Sequence, residues 1–141
     1  MSYSQDRTSQ LWRTFMPRRK EITNRLNSNF YSLQVYDSLF DFKTYSPNTS
    51  FVKWALVETA DVNAIPDGMV SFLLPSGLYA VFLHQGPASA YYNTFNFIYQ
   101  TWLPSSAYII DHRPHFEILP ENYRHDDPEA EEEIWVPVQQ K

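Results

Sequence analysis

Gly77-Leu78-Tyr79-Ala80-Val81-Phe82-Leu83-His84, followed by the helical run from Tyr91 to Pro104, is the stretch whose reading decides the fold. In its first part Leu78, Ala80, Phe82 and His84 fall on one side and Tyr79, Val81 and Leu83 on the other, the period-two pattern of a strand. In its second part Tyr91, Phe95, Ile98 and Trp102 recur at helical spacing and form one apolar face. Ser89, after Gly86 and Pro87, is the expected N-cap. Pro104-Ser105-Ser106 ends the helix, because proline cannot donate to the helical ladder. A bulky apolar stripe on a helix needs a sheet face to cover it. His115–Leu119 and Ile134–Val138 supply further strand patterns.

Working outward, the earlier half of the chain looks like a copy of this one. Leu11-Trp12-Arg13-Thr14-Phe15-Met16-Pro17 matches Ile98-Tyr99-Gln100-Thr101-Trp102-Leu103-Pro104 in kind at each position, and Ile22 and Ile109 stay in register. Strand patterns follow in both halves: Tyr31–Tyr36 and Phe51–Glu58 in the first, Phe116–Leu119 and Glu133–Val138 in the second. The expectation is a duplicated helix–strand–strand design, with repeats over about residues 8–60 and 77–139.

In chain order, Thr8–Met16 is expected to be the first helix, with Leu11 and Phe15 facing the core. Phe30–Asp37 and Phe51–Thr59 are strands, joined by a loop over Phe40–Ser50. Ile65-Pro66-Asp67-Gly68 is a turn. Met69–Leu74 and Leu78–His84 are read as strands flanking the corner Pro75-Ser76-Gly77. Glu121–Glu132 is an acidic connection into the last strand. No long linker divides the chain, so residues 1–141 are read as one α+β domain. Its sheet is mostly antiparallel, with helices on one face and a ligand pocket between the halves.

Composition narrows the chemistry. The net charge of −5 argues against direct binding of nucleic acid. The basic residues Arg13, Arg18, Arg19, Lys20 and Arg25 read as a solvated helix end. The absence of cysteine removes disulfide, thiolate-metal and thiol-nucleophile chemistry and agrees with a cytoplasmic setting. No run approaches the ~18 apolar residues of a membrane span. Three glycines, Gly68, Gly77 and Gly86, are spaced too widely for a phosphate loop. His112 and His115 flank Pro114, which rules out a helical metal pair, so the ordinary reading is structural histidines with Arg113 in a salt bridge. Nothing calls for a cofactor, and no pattern specifies an oligomeric state.

Aromatic residues make up 17% of the chain, an excess suited to lining a small-molecule pocket. Acidic residues share the same strands: Glu58 alternates with Trp54 and Leu56, Glu117 follows Phe116, and Glu133 alternates with Trp135. Each has an ordinary reading as a strand-edge or solvent-face residue. A carboxylate among aromatics, however, loses hydration and needs a partner. A cationic ligand is one such partner, through its charge and through cation–π contact.

These residues carry a family resemblance. Gly77–Phe82, Gly86, Trp102–Ser105, Arg113-Pro114-His115-Phe116-Glu117 and Glu133–Val138, with Leu11–Glu21 and Phe51–Glu58, resemble the gyrase-inhibitor-like (GyrI-like) small-molecule-binding family. That family is also the effector-binding domain of AraC-type and MerR-type transcription activators. The resemblance implies a central aromatic pocket with a buried glutamate that meets cationic or amphipathic compounds. Glu117 best matches that glutamate; Glu58 and Glu133 are further candidates, and Tyr36, Trp54, Tyr108 and Trp135 are candidates for the wall. The chain begins at Met1 without a DNA-binding segment, so the expectation is a stand-alone binding module. Two alternatives stand beside it: a hydrolase of small electrophilic compounds using a pocket glutamate and tyrosine, and a protein-binding inhibitor or regulator with a partner protein.

Overall fold

Alternation along six strands gives the sheet two chemically different faces. The computed structural model describes residues 1–37 and 42–141; the start of the loop expected at Phe40 lies outside the described residues. The chain runs α1 (Thr8–Phe15), β1 (Phe30–Tyr36), β2 (Phe51–Leu56), β3 (Tyr79–Gln85), α2 (Tyr91–Asn96), β4 (Tyr108–Ile110), β5 (His115–Leu119) and β6 (Glu131–Gln140). The strand order is β2-β1-β5-β6-β3, with β4 also on β6. All described pairings are antiparallel. The class is α+β, as the sequence indicated.

Register decides which side chains share a face. Ser32 pairs with both Ala55 and Glu117, Gln34 with Lys53 and His115, Glu117 with Ile134, and Phe82 with Ile134. Cross-strand partners point the same way, so Ser32, Gln34, Lys53, His115, Glu117, Glu132, Ile134, Phe82 and His84 lie on one face, here called the inner. Leu33, Trp54, Phe116, Glu133 and Trp135 lie on the other, the outer.

The helices cover the inner face. Ile98 and Tyr99 are buried against Ile134, Val136 and Val138, with Ala80 and Phe82 around them. On the other half, Trp12 of α1 meets Phe30 edge-on, ring centroids 6.1 Å apart. The helix that begins at Tyr91 changes to π-helical winding over Phe97–Trp102 before a last turn at Leu103–Ser105. Ile98 and Tyr99 are both buried within that winding; Ile98 belongs to the expected stripe, and Tyr99, four residues after Phe95, falls on the same side.

Several boundaries differ from the sequence expectation. Ser89 is exposed and is not an N-cap: a 3-10 turn at Ala88–Ala90, headed by Pro87, precedes α2, and Ala90 gives no side-chain cap. Proline fixes the entry angle that a cap would otherwise set. Met69–Leu74 forms no strand: among the described residues no strand pairs with it. The connection from Val57 to Leu78 instead travels from the β2 edge to the β3 edge, touching the outer face where Phe72 lies 5.1 Å from Trp54. Its expected turn is present: Met69 donates to the Pro66 carbonyl, and Gly68 holds φ +81°, a conformation that favours glycine. The last strand begins at Glu131, inside the expected acidic connection, because Glu131, Glu132 and Glu133 pair with Gln85, His84 and Leu83.

Gly77 has a packing role. A Cβ there would stand 2.4 Å from Arg113 Cζ. The Arg113 guanidinium binds Asp111 at 2.8 Å, donates to the carbonyls of Leu78 and Val138, and lies 4.5 Å over the Tyr79 ring. It ties the start of β3 to β6, so the salt bridge read from the sequence is a fold element.

Candidate functional site

Polar residues on β1 and β5 point into the sheet–helix layer, where only apolar side chains are cheap to bury. Ser32, Gln34, His115, Glu117 and Glu132 are all buried. Their burial requires partners, and Glu117 has several. Tyr91 Oη donates to its Oε1 at 2.9 Å. Gln34 Nε2 lies 3.3 and 3.4 Å from its two oxygens. Lys53 Nζ stands 4.0 Å from Oε2, a looser contact than a tight ion pair.

Aromatic rings surround this group. Tyr36 meets His115 edge-on at 5.0 Å and Phe51 at 5.5 Å. Phe51 meets Tyr3, Tyr3 meets Tyr45, and Tyr45 meets Phe95, at 5.3, 6.1 and 5.7 Å. Phe95 reaches Tyr99 at 4.6 Å and Tyr91 at 6.3 Å. Tyr99 Oη is 3.1 Å from His115 Nδ1. The cluster draws on the N-terminal segment, β1, β2, α2 and β5.

Burial sets the protonation of the cluster. It pushes the Tyr3, Tyr36, Tyr91 and Tyr99 hydroxyls well above the ordinary tyrosine value, and the Glu117 charge adds to this. Tyr45 is pushed up to about 12, again by burial. These hydroxyls therefore stay protonated near neutral pH and can donate to an anion. Burial, with Arg113 as a second cause, lowers His115 to about 3, so its imidazole is neutral. Burial lowers Lys53, and Glu117 opposes the shift. Burial raises Glu132 to about 7, and Glu117 raises it further, while the Tyr123 hydroxyl and Lys53 act the other way. The formal charges of the site are two carboxylates and one ammonium, a net negative balance once Glu132 ionises.

The residues singled out from the sequence separate by face. Glu117 and Tyr36 stand together in the inner cluster. Glu133 is on the outer face, and its neighbour Glu132 faces Glu117. Trp135 stacks on Phe116 at 5.2 Å and 18° on the outer side. Trp54 is also outer. Glu58 follows β2 and accepts hydrogen bonds from Tyr31 Oη and Asn27 Nδ2, both 3.0 Å. Tyr108 stacks on Trp102 at 6.3 Å and 13° beside the apolar core, away from Glu117. The structure adds Gln34, Lys53, Tyr91, Tyr99, His115 and Glu132. One sequence signal could have found part of this set: in Tyr31-Ser32-Leu33-Gln34-Val35-Tyr36 the polar residues Ser32 and Gln34 alternate with Leu33 inside a strand pattern, and all three are buried, Gln34 at 4% exposure.

Among the described residues, no group of three or more metal-ligating side chains is assembled. No described helix is long and apolar enough to cross a membrane.

Two comparisons with known proteins bear on this arrangement. The chain is 28% identical over 134 residues to the transcriptional regulator BrlR of Pseudomonas aeruginosa. That match covers 94% of this chain and 47% of the relative, so the chain spans about half the length of the curated relative it matches. The family model described as the GyrI-like small-molecule-binding domain matches residues 1–139. A sheet with a tyrosine-ringed carboxylate between its strands and helices thus sits in a chain that belongs, over nearly its whole length, to the GyrI-like small-molecule-binding family.

Proposed function

We propose that the chain is a single binding unit for cationic or amphipathic aromatic small molecules, held against Glu117 with Tyr36, Tyr91 and Tyr99 as walls. One observation carries this reading: Glu117 is 7% exposed among aromatic rings, yet its nearest cationic group is 4.0 Å away. A ligand cation could replace Lys53 at Oε2 and meet tyrosine faces, gaining both charge and cation–π attraction. The match to a transcriptional regulator supports a sensing role, in which occupancy is read by a partner protein or domain.

The test is a titration with a cationic aromatic dye, followed by tryptophan emission, for the natural chain and for Glu117→Gln. Saturable binding that weakens about tenfold or more in Glu117→Gln is expected, since a hydrogen bond to a buried charge is worth roughly 1.5–3 kcal/mol. Equal affinity in both proteins would sink the assignment.

A second reading rests on the Tyr91–Glu117 hydrogen bond. Glu117 could take a proton from an attacking water while protonated Tyr91 donates to the leaving group of an electrophilic substrate. Turnover of such a substrate, lost in both Glu117→Gln and Tyr91→Phe, would favour hydrolysis over binding alone.

A further inference from the structure

We propose that the β2 edge of the sheet carries a second small-molecule site, separate from Glu117, which takes a cationic amphiphile with one extended apolar body. The groove lies at the β2 edge between α1 and the connection from Val57 to Leu78. It encloses about 840 Å³, within the size of ordinary ligand pockets, roughly 300–1,000 Å³. Phe15, Leu33, Trp54, Leu56, Phe72 and Phe116 supply its apolar surface. A connection this long without helix or strand is uncommon in a compact domain, and functional loops are one of the two classes in which it occurs, linkers being the other.

The charge of the rim selects the occupant. Glu58 and Asp61 both line the groove, and neither is in a salt bridge among the described residues. Glu58 Oε2 is held by Tyr31 and Asn27, which fixes the carboxylate and leaves Oε1 without a partner among the described residues. Asp61 Oδ1 accepts from Asn24 Nδ2 at 3.0 Å and from the Asn63 amide at 3.1 Å. The cation that lines the groove, Arg18, is already committed to Glu21 at 2.8 Å and to the Asp67 carbonyl. The charge left for a ligand is negative, at the rim of an apolar trough. An alkyl or aryl body fits the trough, and a single ammonium fits the rim. A carboxylate or sulfate head meets Glu58 and Asp61 and is repelled.

The experiment uses the full chain and dodecyltrimethylammonium below its micelle concentration, with dodecyl sulfate as the anionic control. Binding is followed by calorimetry and tryptophan emission. Expected in Glu117→Gln, where the inner carboxylate no longer competes, are one saturable site for the cation, no saturable site for the anion, and loss of the emission change when Trp54→Phe is added. Glu58→Gln should weaken the cation roughly threefold to fivefold, as for a partly exposed ion pair. Phe72→Ala, on the surface connection, should weaken it while leaving the fold intact by circular dichroism. Retention of this saturable binding in Glu117→Gln separates the groove from the inner site. Three results would overturn the proposal: no saturation, binding abolished by Glu117→Gln but not by Glu58→Gln, or equal binding of the sulfate.

Discussion

The two faces of one sheet bury aromatic rings for different ends. On the outer face Tyr31, Tyr79 and Trp135 surround Phe116 at 6.2, 5.4 and 5.2 Å, and Phe116 is 4% exposed. On the inner face comparable rings surround Glu117, His115, Gln34 and Lys53. Rings around rings give dispersion and hydrophobic burial. Rings around a carboxylate give a desolvated charge that a ligand can answer. The difference shows that an aromatic excess has two uses here, and that the buried polar partners tell them apart.

The largest effect expected from breaking this contrast is in the outer stack. Phe116→Ala should lower stability by about 3–5 kcal/mol, the usual cost of emptying a buried aromatic site, read as a shift of the urea midpoint. At temperatures where the variant remains folded, the dye affinity that depends on Glu117 should change little, while binding in the groove that Phe116 lines should weaken. A large loss of the Glu117-dependent affinity in folded protein would mean that the outer stack belongs to the inner ligand site.

The next effect is on binding. Lys53→Met removes the ammonium that shares Glu117 with an incoming cation. The dye should bind about tenfold tighter, which is about 1.4 kcal/mol. Weaker binding would show that Lys53 holds Glu117 in its binding position and does not compete for it.

Much of this was legible in the sequence, for a physical reason. Period-two alternation in Tyr79–His84 and the helical stripe at Tyr91, Phe95 and Ile98 encode which face is covered; Glu58, Glu117 and Glu133 are marked alike by their places in strand patterns, and only the family resemblance sets Glu117 apart. Three features were not legible. The π-helical winding over Phe97–Trp102 is marked by no local pattern. The connection through Met69–Leu74 has strand-like residues, but a strand needs a partner, and that is a property of the whole sheet. The choice between Glu132 and Glu133 depends on the register of β6 against β3 and β5, and a slip of one residue exchanges the faces.

Acid–base behaviour gives a smaller and signed effect. Glu132 stands at about 7 in the folded chain, against an ordinary 4.5. The folded state therefore holds this proton more tightly than the unfolded state does. The contribution is fully present below about 4.5 and is lost as the pH rises through about 7. His115 runs the other way. Its value falls from 6.5 to about 3, so its contribution is present above 6.5 and is lost on acidification towards 3. Between pH 6.5 and 7.5 the Glu132 slope should be visible, at most about 1.4 kcal/mol per pH unit. Thermal midpoints should decline across this window, and Glu132→Gln should flatten the decline. Over the same window dye affinity should rise with pH, because ionised Glu132 adds a second negative charge near Glu117. A decline that persists in Glu132→Gln would assign the slope to another group.

The smallest effect is the sharpest form of the comparison, because it sets two adjacent residues of one strand against each other. Glu132 is buried beside Glu117, and Glu133 pairs with Leu83 and Ile118 on the half-exposed outer side. Glu133→Gln should change stability by no more than about 0.5 kcal/mol, as surface substitutions do, and should leave dye affinity unchanged from pH 6 to 8. Glu132→Gln should reduce affinity at pH 8 and have little effect at pH 6, where the native carboxyl already carries its proton. The two variants differ by the same atoms and sit one residue apart, so composition and local sequence cancel. If both behave alike, the field at the ligand does not distinguish the faces. If they separate as described, the direction in which a carboxylate points, set by the pleat of β6, decides that it takes part in binding.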